Sequence, residues 1–194
     1  MKKIYTLIAS ICSVLSMSAT DYLVSAEYVE GTQTVYKQRI FTSGETHFQT
    51  LAEVLDIAKE GDNIYLAPGT YADNFTIGVN GLSIYGNNSW KDVRSKKRDT
   101  AKESVITGTV TVNADNVTLN GLKFTGAARV VNTTAQNGSP IKNITLKYNL
   151  VQASTLGSST PVIAFGSVYN NANANADVSQ LRYENITISH NDFN

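Results

Sequence analysis

One short segment returns along this chain, and its return limits the fold more than any other feature. Its clearest copies are Asn116-Val117-Thr118-Leu119, Asn143-Ile144-Thr145-Leu146 and Asn185-Ile186-Thr187-Ile188, followed a few residues later by Phe124, Val151 and Phe193. Weaker copies start at Asn63 and Gly81, so the five starts stand 18, 35, 27 and 42 residues apart. Recurrence on this scale implies stacked supersecondary units, each too small to bury its own apolar face. The unequal intervals then hold loops that bulge from a coil of roughly 20 to 25 residues per turn.

Alternate residues of a strand face opposite sides, so apolar pairs such as Val117 with Leu119 and Ile144 with Leu146 point into one core. The residues between them, Tyr65, Ser83, Thr118, Thr145 and Thr187, are expected to form an outward column. Six places after a start come Asn87, Asn149 and Asn191, which suits a left-handed backbone at a stacked corner. Alternation does not reveal strand direction, so an antiparallel sandwich is the alternative. The shared register of start, core pair and corner favours parallel stacking.

One helix is expected. Leu51, Val54, Leu55 and Ala58 have helical spacing, Thr50 with Glu53 forms a capping box, and Gly61 supplies a left-handed stop. Thr34 to Phe41 reads as a strand. At the N-terminus Lys2 and Lys3 precede the apolar stretch Ile4 to Leu15 and then small residues, the order of a secretory signal. Cleavage after Ala19 or after Ala26 leaves small residues at the cut, and the sequence does not choose between them. The expected organisation is a signal within 1–26 and one β-domain over 27–194, placing the mature chain in the periplasm, at the cell surface or outside the cell. About 12 apolar residues fall short of the ~20 that span a bilayer, so no stable membrane span is expected in the mature chain. The single cysteine, Cys12, lies inside this segment after Ile11, a poor context for lipid attachment. The mature chain therefore lacks the thiols that disulfides, thiolate catalysis or a cysteine-held zinc require.

Apolar residues make up 42% and charged residues 16%, which excludes a disordered chain. The 16 basic and 16 acidic residues cancel, so no global field favours nucleic acid or an anionic membrane. Oligomeric state is not legible.

The run Leu51-Ala52-Glu53-Val54-Leu55, then Lys59 through Tyr71 (KEGDNIYLAPGTY), resembles the opening turn of pectate-lyase-like proteins. Gly121-Leu122-Lys123-Phe124-Thr125-Gly126 and Asn185-Ile186-Thr187-Ile188 are also similar to the strand sequences of that family, and the resemblance covers residues 48 to 194. It implies an all-β chain, a right-handed parallel β-helix (solenoid) with a short N-terminal capping helix. It implies a polysaccharide partner, and an enzyme of this kind would be a lyase, or a related glycoside hydrolase, acting on uronate-containing glycans. Such lyases abstract a proton with an Arg or Lys base and often use calcium, so calcium enters as a cofactor by resemblance alone.

That chemistry needs clustered carboxylate oxygens facing a cation. Lys123, Lys147 and Arg129 are the available cations and Asp115 a nearby carboxylate, but no acidic cluster accompanies them, and an ordinary exposed side chain is the favoured reading of each. Asp177, Glu184 and Asp192 are the late carboxylates, in no recognisable hydrolase spacing. His190 offers an acid, base or ligand, or is a surface corner. Tyr85, Tyr148 and Trp90 are candidates for stacking on sugar rings, or are packed side chains of neighbouring strands. Lys91 to Glu103 carries six positive and three negative residues, either a basic loop for an acidic glycan or a solvated insertion. Asn170 to Asp177 reads as a low-complexity loop. No catalytic set is complete, which favours a polysaccharide-engaging protein with a degenerate or missing catalytic portion; a non-catalytic structural or adhesive surface module is the alternative. Stacked folds need caps, so further chain or a partner is expected beyond Asn194.

Overall fold

A computed structural model describes residues 18–125, 132–133, 141–152 and 183–193. The expected signal through residue 17, including Cys12, lies outside the described residues. So do Arg129 and the Asn170 to Asp177 loop. The elements in chain order are β1 (Asp21–Val24), β2 (Gln33–Tyr36), β3 (Arg39–Thr42), β4 (His47–Phe48), α1 (Leu51–Ile57), β5 (Asn63–Leu66), β6 (Gly69–Tyr71), β7 (Phe75–Ile77) and β8 (Ser83–Tyr85). Then follow β9 (Ser104–Ile106), β10 (Val110–Val112), β11 (Thr118–Asn120), β12 (Lys123–Thr125), β13 (Asn132–Thr133) and β14 (Ile141–Lys142). The last are β15 (Thr145–Lys147), β16 (Leu150–Gln152), β17 (Tyr183–Glu184), β18 (Thr187–Ser189) and β19 (Asp192–Phe193).

The chain is mostly β, and its sheets are parallel. The largest runs β18-β15-β11-β8-β5-β1-β4, a second β19-β16-β12-β9-β6 and a third β13-β10-β7, with β14-β17 as a smaller parallel pair. From β5 to β13 the chain visits these three sheets in one repeating order. Among the described residues, only β2 with β3 pairs antiparallel. An antiparallel sandwich is thereby excluded.

Alternation decides what faces inward. Ile64, Ile84, Leu119 and Leu146 share one register across the large sheet, each at most 1% exposed. They meet Ile77, Val110 and Val112 of the third sheet and Ile106, Phe124 and Val151 of the second in one core. Each such burial removes apolar surface from water and stabilises the fold by roughly 1.5–3 kcal/mol before entropy is subtracted.

The register corrects the alignment of the first copy. Asn63 pairs with Ser83 and Ile64 with Ile84, so the copy begins at Gly61 rather than Asn63. All five true starts are left-handed: Gly61 (φ 86°), Gly81 (73°), Asn116 (60°), Asn143 (58°) and Asn185 (57°). Glycine and asparagine are the residues that take this conformation at least cost. The asparagines also form a ladder: Nδ2 of Asn143 donates to Oδ1 of Asn116 at 2.6 Å, and Nδ2 of Asn185 to Oδ1 of Asn143 at 3.0 Å. The outward column is therefore Asp21, Asn63, Ser83, Thr118, Thr145 and Thr187, and Tyr65 belongs to the next one.

The capping box is present on α1: Thr50 N–H donates to Glu53 Oε2 at 2.8 Å, and Glu53 N–H donates to Thr50 Oγ1. Leu51 and Val54 enter the core and the helix packs on β1 and β4, at one end of the large sheet. The helix stops at Ala58; Gly61 instead opens the turn into β5. The single strand expected from Thr34 to Phe41 is a hairpin, because Lys37 (φ 48°) and Gln38 (φ 64°) turn the chain with two left-handed residues. The β-structure begins at Asp21, ahead of the expected domain start at residue 27: Tyr22, Leu23 and Val24 are buried and β1 pairs with both β4 and β5. Among the described residues, no helix is long and apolar enough to cross a membrane.

Candidate functional site

The outward face of the large sheet carries the second column: His47, Leu23, Tyr65, Tyr85, Asn120, Lys147 and Ser189, each in register with the next. Parallel strands lie about 4.8 Å apart, so aromatic side chains at equal register stack on one another. Tyr65 and Tyr85 stack at 5.3 Å and 23°. The next rung offers Asn120 instead of a ring, and Trp90, from the loop before it, occupies the aromatic place. Its ring lies 6.1 Å from Tyr85 and 6.0 Å from Tyr148, and Tyr148 stacks on His190 at 5.0 Å. Rings that stack along the ladder spend their faces on each other. Trp90, 63% exposed, presents open aromatic surface.

Local structure fixes that tryptophan. Its backbone N–H donates to Oδ1 of the buried Asn120 at 3.0 Å, and that backbone is left-handed (φ 65°). Beneath the loop, Gly121 (φ 70°) leaves no room for a side chain: a Cβ there would lie 2.2 Å from Ser89 N. The left-handed corners fall at Tyr148 (φ 57°) and His190 (φ 58°), one residue before the asparagines expected to take them. Asn149 instead turns inward, its Nδ2 donating to Leu119 O and its Oδ1 accepting from Leu122 N, both at 3.0 Å. Asn191 repeats this one rung later with Leu146 O and Asn149 N.

The Lys91 to Glu103 stretch is a largely solvated insertion, with Asp92, Arg94, Lys96, Lys97 and Lys102 exposed, that is anchored by two buried residues. Arg98 and Glu103 are 5% and 6% exposed and form a two-point ion pair, Nε–Oε1 at 2.8 Å and Nη2–Oε2 at 2.9 Å. Nη1 of Arg98 then donates to Tyr148 O at 2.8 Å, tying the insertion to the corner that carries the next ring. Buried Asn88 closes the loop, donating from Nδ2 to Asp99 O and accepting Asp99 N–H at Oδ1.

The β2–β3 hairpin covers the other flank. Lys37 Nζ donates to Gly86 O at 3.0 Å and to Ser89 Oγ at 2.9 Å, beside the Tyr36 ring. Partial burial, then the charges of Lys91 and Arg39, push the Lys37 ammonium down to about 8. Arg39 stands over the Tyr65 ring at 4.8 Å and is bound to Asp21 at 2.7 Å.

Of the residues singled out by sequence, Tyr85, Tyr148 and His190 come together with Trp90 on this face, and Lys147 lies in register between Asn120 and Ser189. Lys123 stands apart, on β12 of another sheet, lining a groove with Pro68, Thr70, Thr100 and Glu103. Asp115 is structural, its Oδ1 accepting Lys142 N–H, and Glu184 pairs with Lys142 at 3.5 Å. Asp192 pairs through its backbone in β19. Sequence reasoning missed Lys37, Asn120 and the Arg98–Glu103 pair. Among the described residues no group of three or more His, Cys, Asp or Glu is placed to hold a metal ion. Calcium wants six to eight oxygens, and with Glu103 and Glu184 already paired to cations, the described donors do not fit it.

No family model matches this chain, and neither a curated protein nor a solved structure matches it.

Proposed function

We propose that the chain is a right-handed parallel β-helix, exported by its N-terminal signal, that engages polysaccharide on the outward face around Trp90. The repeating order of parallel sheets and the end-on helix α1 support the β-helix reading. Burial of β1 favours signal cleavage after Ala19 over cleavage after Ala26, which would remove a core strand. The observation that carries the functional reading is Trp90: an exposed ring between Tyr85 and Tyr148, on a backbone held by Asn120 and by the close passage over Gly121, offered to solvent at mid-ladder. Such a ring suits the apolar C–H face of a sugar, and a pre-set ring loses little entropy on binding.

Binding without turnover fits the residues better than catalysis. A lyase site needs a carboxylate-held cation opposite a base, and the candidate residues lie on different sheets. Affinity electrophoresis through gels cast with neutral and acidic polysaccharides tests the reading. Retardation that disappears in Trp90→Ala is the expected result; equal mobility of both proteins in every gel sinks it. Appearance of unsaturated products from uronate glycans, with or without calcium, would replace binding by lyase action.

A further inference from the structure

We infer that Lys37 and Lys91 form a seat for an oxyanion beside Trp90, taking a carboxylate or sulfate substituent of the docked chain. The inference rests on the reading of the Trp90 surface as a docking face. The ion pairs among the described residues join Arg39 to Asp21, Arg98 to Glu103 and Lys142 to Glu184. Lys37 and Lys91 belong to none of them. Both are half-buried, and both reach the same turn: Lys37 Nζ bonds Gly86 O and Ser89 Oγ, and Lys91 Nζ lies 3.4 Å from Asn88 Oδ1. Of the acids in the insertion, Glu103 holds Arg98, while Asp92 and Asp99 each accept a backbone N–H, from Arg94 and Ala101, and neither is ion-paired to Lys37 or Lys91.

Two cations that reach one turn, with no ion pair to either among the described residues, repel at a Coulomb cost that a protein normally removes with a carboxylate. Here the repulsion persists, and it contributes with burial to weakening the hold of Lys37 on its proton. Ser89 Oγ, between Gly86 and Trp90, adds a hydroxyl that donates once Lys37 occupies its lone pair. An oxyanion at this point relieves the repulsion and accepts from ammonium and hydroxyl together. The hairpin supplies one cation and the insertion the other, so neither element makes the seat alone.

Trp90 is the single tryptophan of the chain, so its fluorescence reports on this place alone. The full chain is titrated with inorganic sulfate against sodium chloride of equal ionic strength, then with dextran, dextran sulfate and polygalacturonate. Sulfate is expected to give a saturable change that chloride does not. Lys37→Met and Lys91→Met should each weaken it about tenfold, whereas Lys59→Met, on the turn after α1, leaves it unchanged. Dextran sulfate against polygalacturonate tells sulfate from carboxylate. If Lys37→Met does not fold, Lys91→Met carries the test. A response no larger than that to chloride, or one equal in the wild type and both lysine variants, overturns the seat. Dextran binding without a sulfate response leaves the docking face standing and removes the seat; a sulfate response with no glycan binding does the reverse.

Discussion

On the inward face of the largest sheet, Ile64, Ile84, Leu119 and Leu146 repeat one kind of side chain in four successive strands. On the outward face the next residues of those strands are Tyr65, Tyr85, Asn120 and Lys147, no two adjacent types alike after the tyrosines. The backbone ladder is common to both faces, so the difference comes from what lies opposite. Inward, every strand meets the same enclosed core and the same solution serves each time. Outward, each strand meets a different cover: Phe41 and the hairpin over Tyr65, the insertion over Asn120, and open surface near His190. Repetition is thus a property of the enclosed side, and individuality enters where a connecting segment folds back.

The sharpest way to break this contrast is Arg98→Ala. It strands the buried Glu103 carboxylate and releases Tyr148 O, so a loss of about 3–5 kcal/mol is expected in denaturant unfolding. Arg98→Met with Glu103→Leu removes both charges and should cost far less. If the single variant is as mild as the double, the insertion is not fixing the outward face. Inward, Leu119→Ala opens a cavity in the shared core and should cost about 2–5 kcal/mol. Its outward neighbour sharpens the comparison: Asn120→Ala should cost about 1 kcal/mol, the worth of its bond to Trp90 N–H, while shifting tryptophan emission. Leu119→Ala should leave that emission nearly unmoved.

Asn143 separates backbone shape from side-chain ladder. Asn143→Ala loses both and should destabilise by about 1–2 kcal/mol, whereas Asn143→Gly retains the left-handed shape and should cost less. The smallest effect concerns His47, the outward residue beside Leu23, wholly buried with Ser25 Oγ at 2.8 Å from Nε2 and the Tyr28 ring edge-on. Burial lowers its affinity for a proton. The unfolded chain therefore binds the proton more readily, and this contribution, complete above the ordinary histidine value of about 6.5, declines as the pH falls below it. Thermal unfolding from pH 7 to pH 5 should show this decline in the wild type and lose it in His47→Gln.

What the sequence made legible follows the same division. The core pairs and the capping box are local or periodic, and their positions hold; the left-handed conformation, expected at Asn149 and Asn191, is taken instead by the starts Asn116, Asn143 and Asn185 and by the corners Tyr148 and His190. The first copy was misaligned by two residues because Asn63 imitates a start; a two-residue slip keeps every side chain on its face, so the core assignment survived it. The outward face was harder to read. Tyr148 and His190 are not residues that announce a left-handed corner, and Lys37-Gln38 lacks the glycine or asparagine that usually marks a tight hairpin. Nothing in a run of mixed charges tells that Arg98 and Glu103 are the two that turn inward. Tyr85, Tyr148 and His190 were legible as candidates one by one; that Trp90 joins them depends on a loop crossing a glycine.

The excursion from Asn87 to Glu103 leaves the large sheet after Tyr85 and rejoins the second sheet at Ser104, yet Ser83 and Thr118 remain paired as though nothing intervened. Chain length at that corner is uncoupled from the ladder on either side, and lengthening a loop costs only about 0.6 kcal/mol per doubling. The corner is accordingly a graft point. A foreign segment of different reach can replace this one and leave the scaffold standing, provided that it passes over Gly121 as closely and brings its own donor to the buried Asn120 Oδ1.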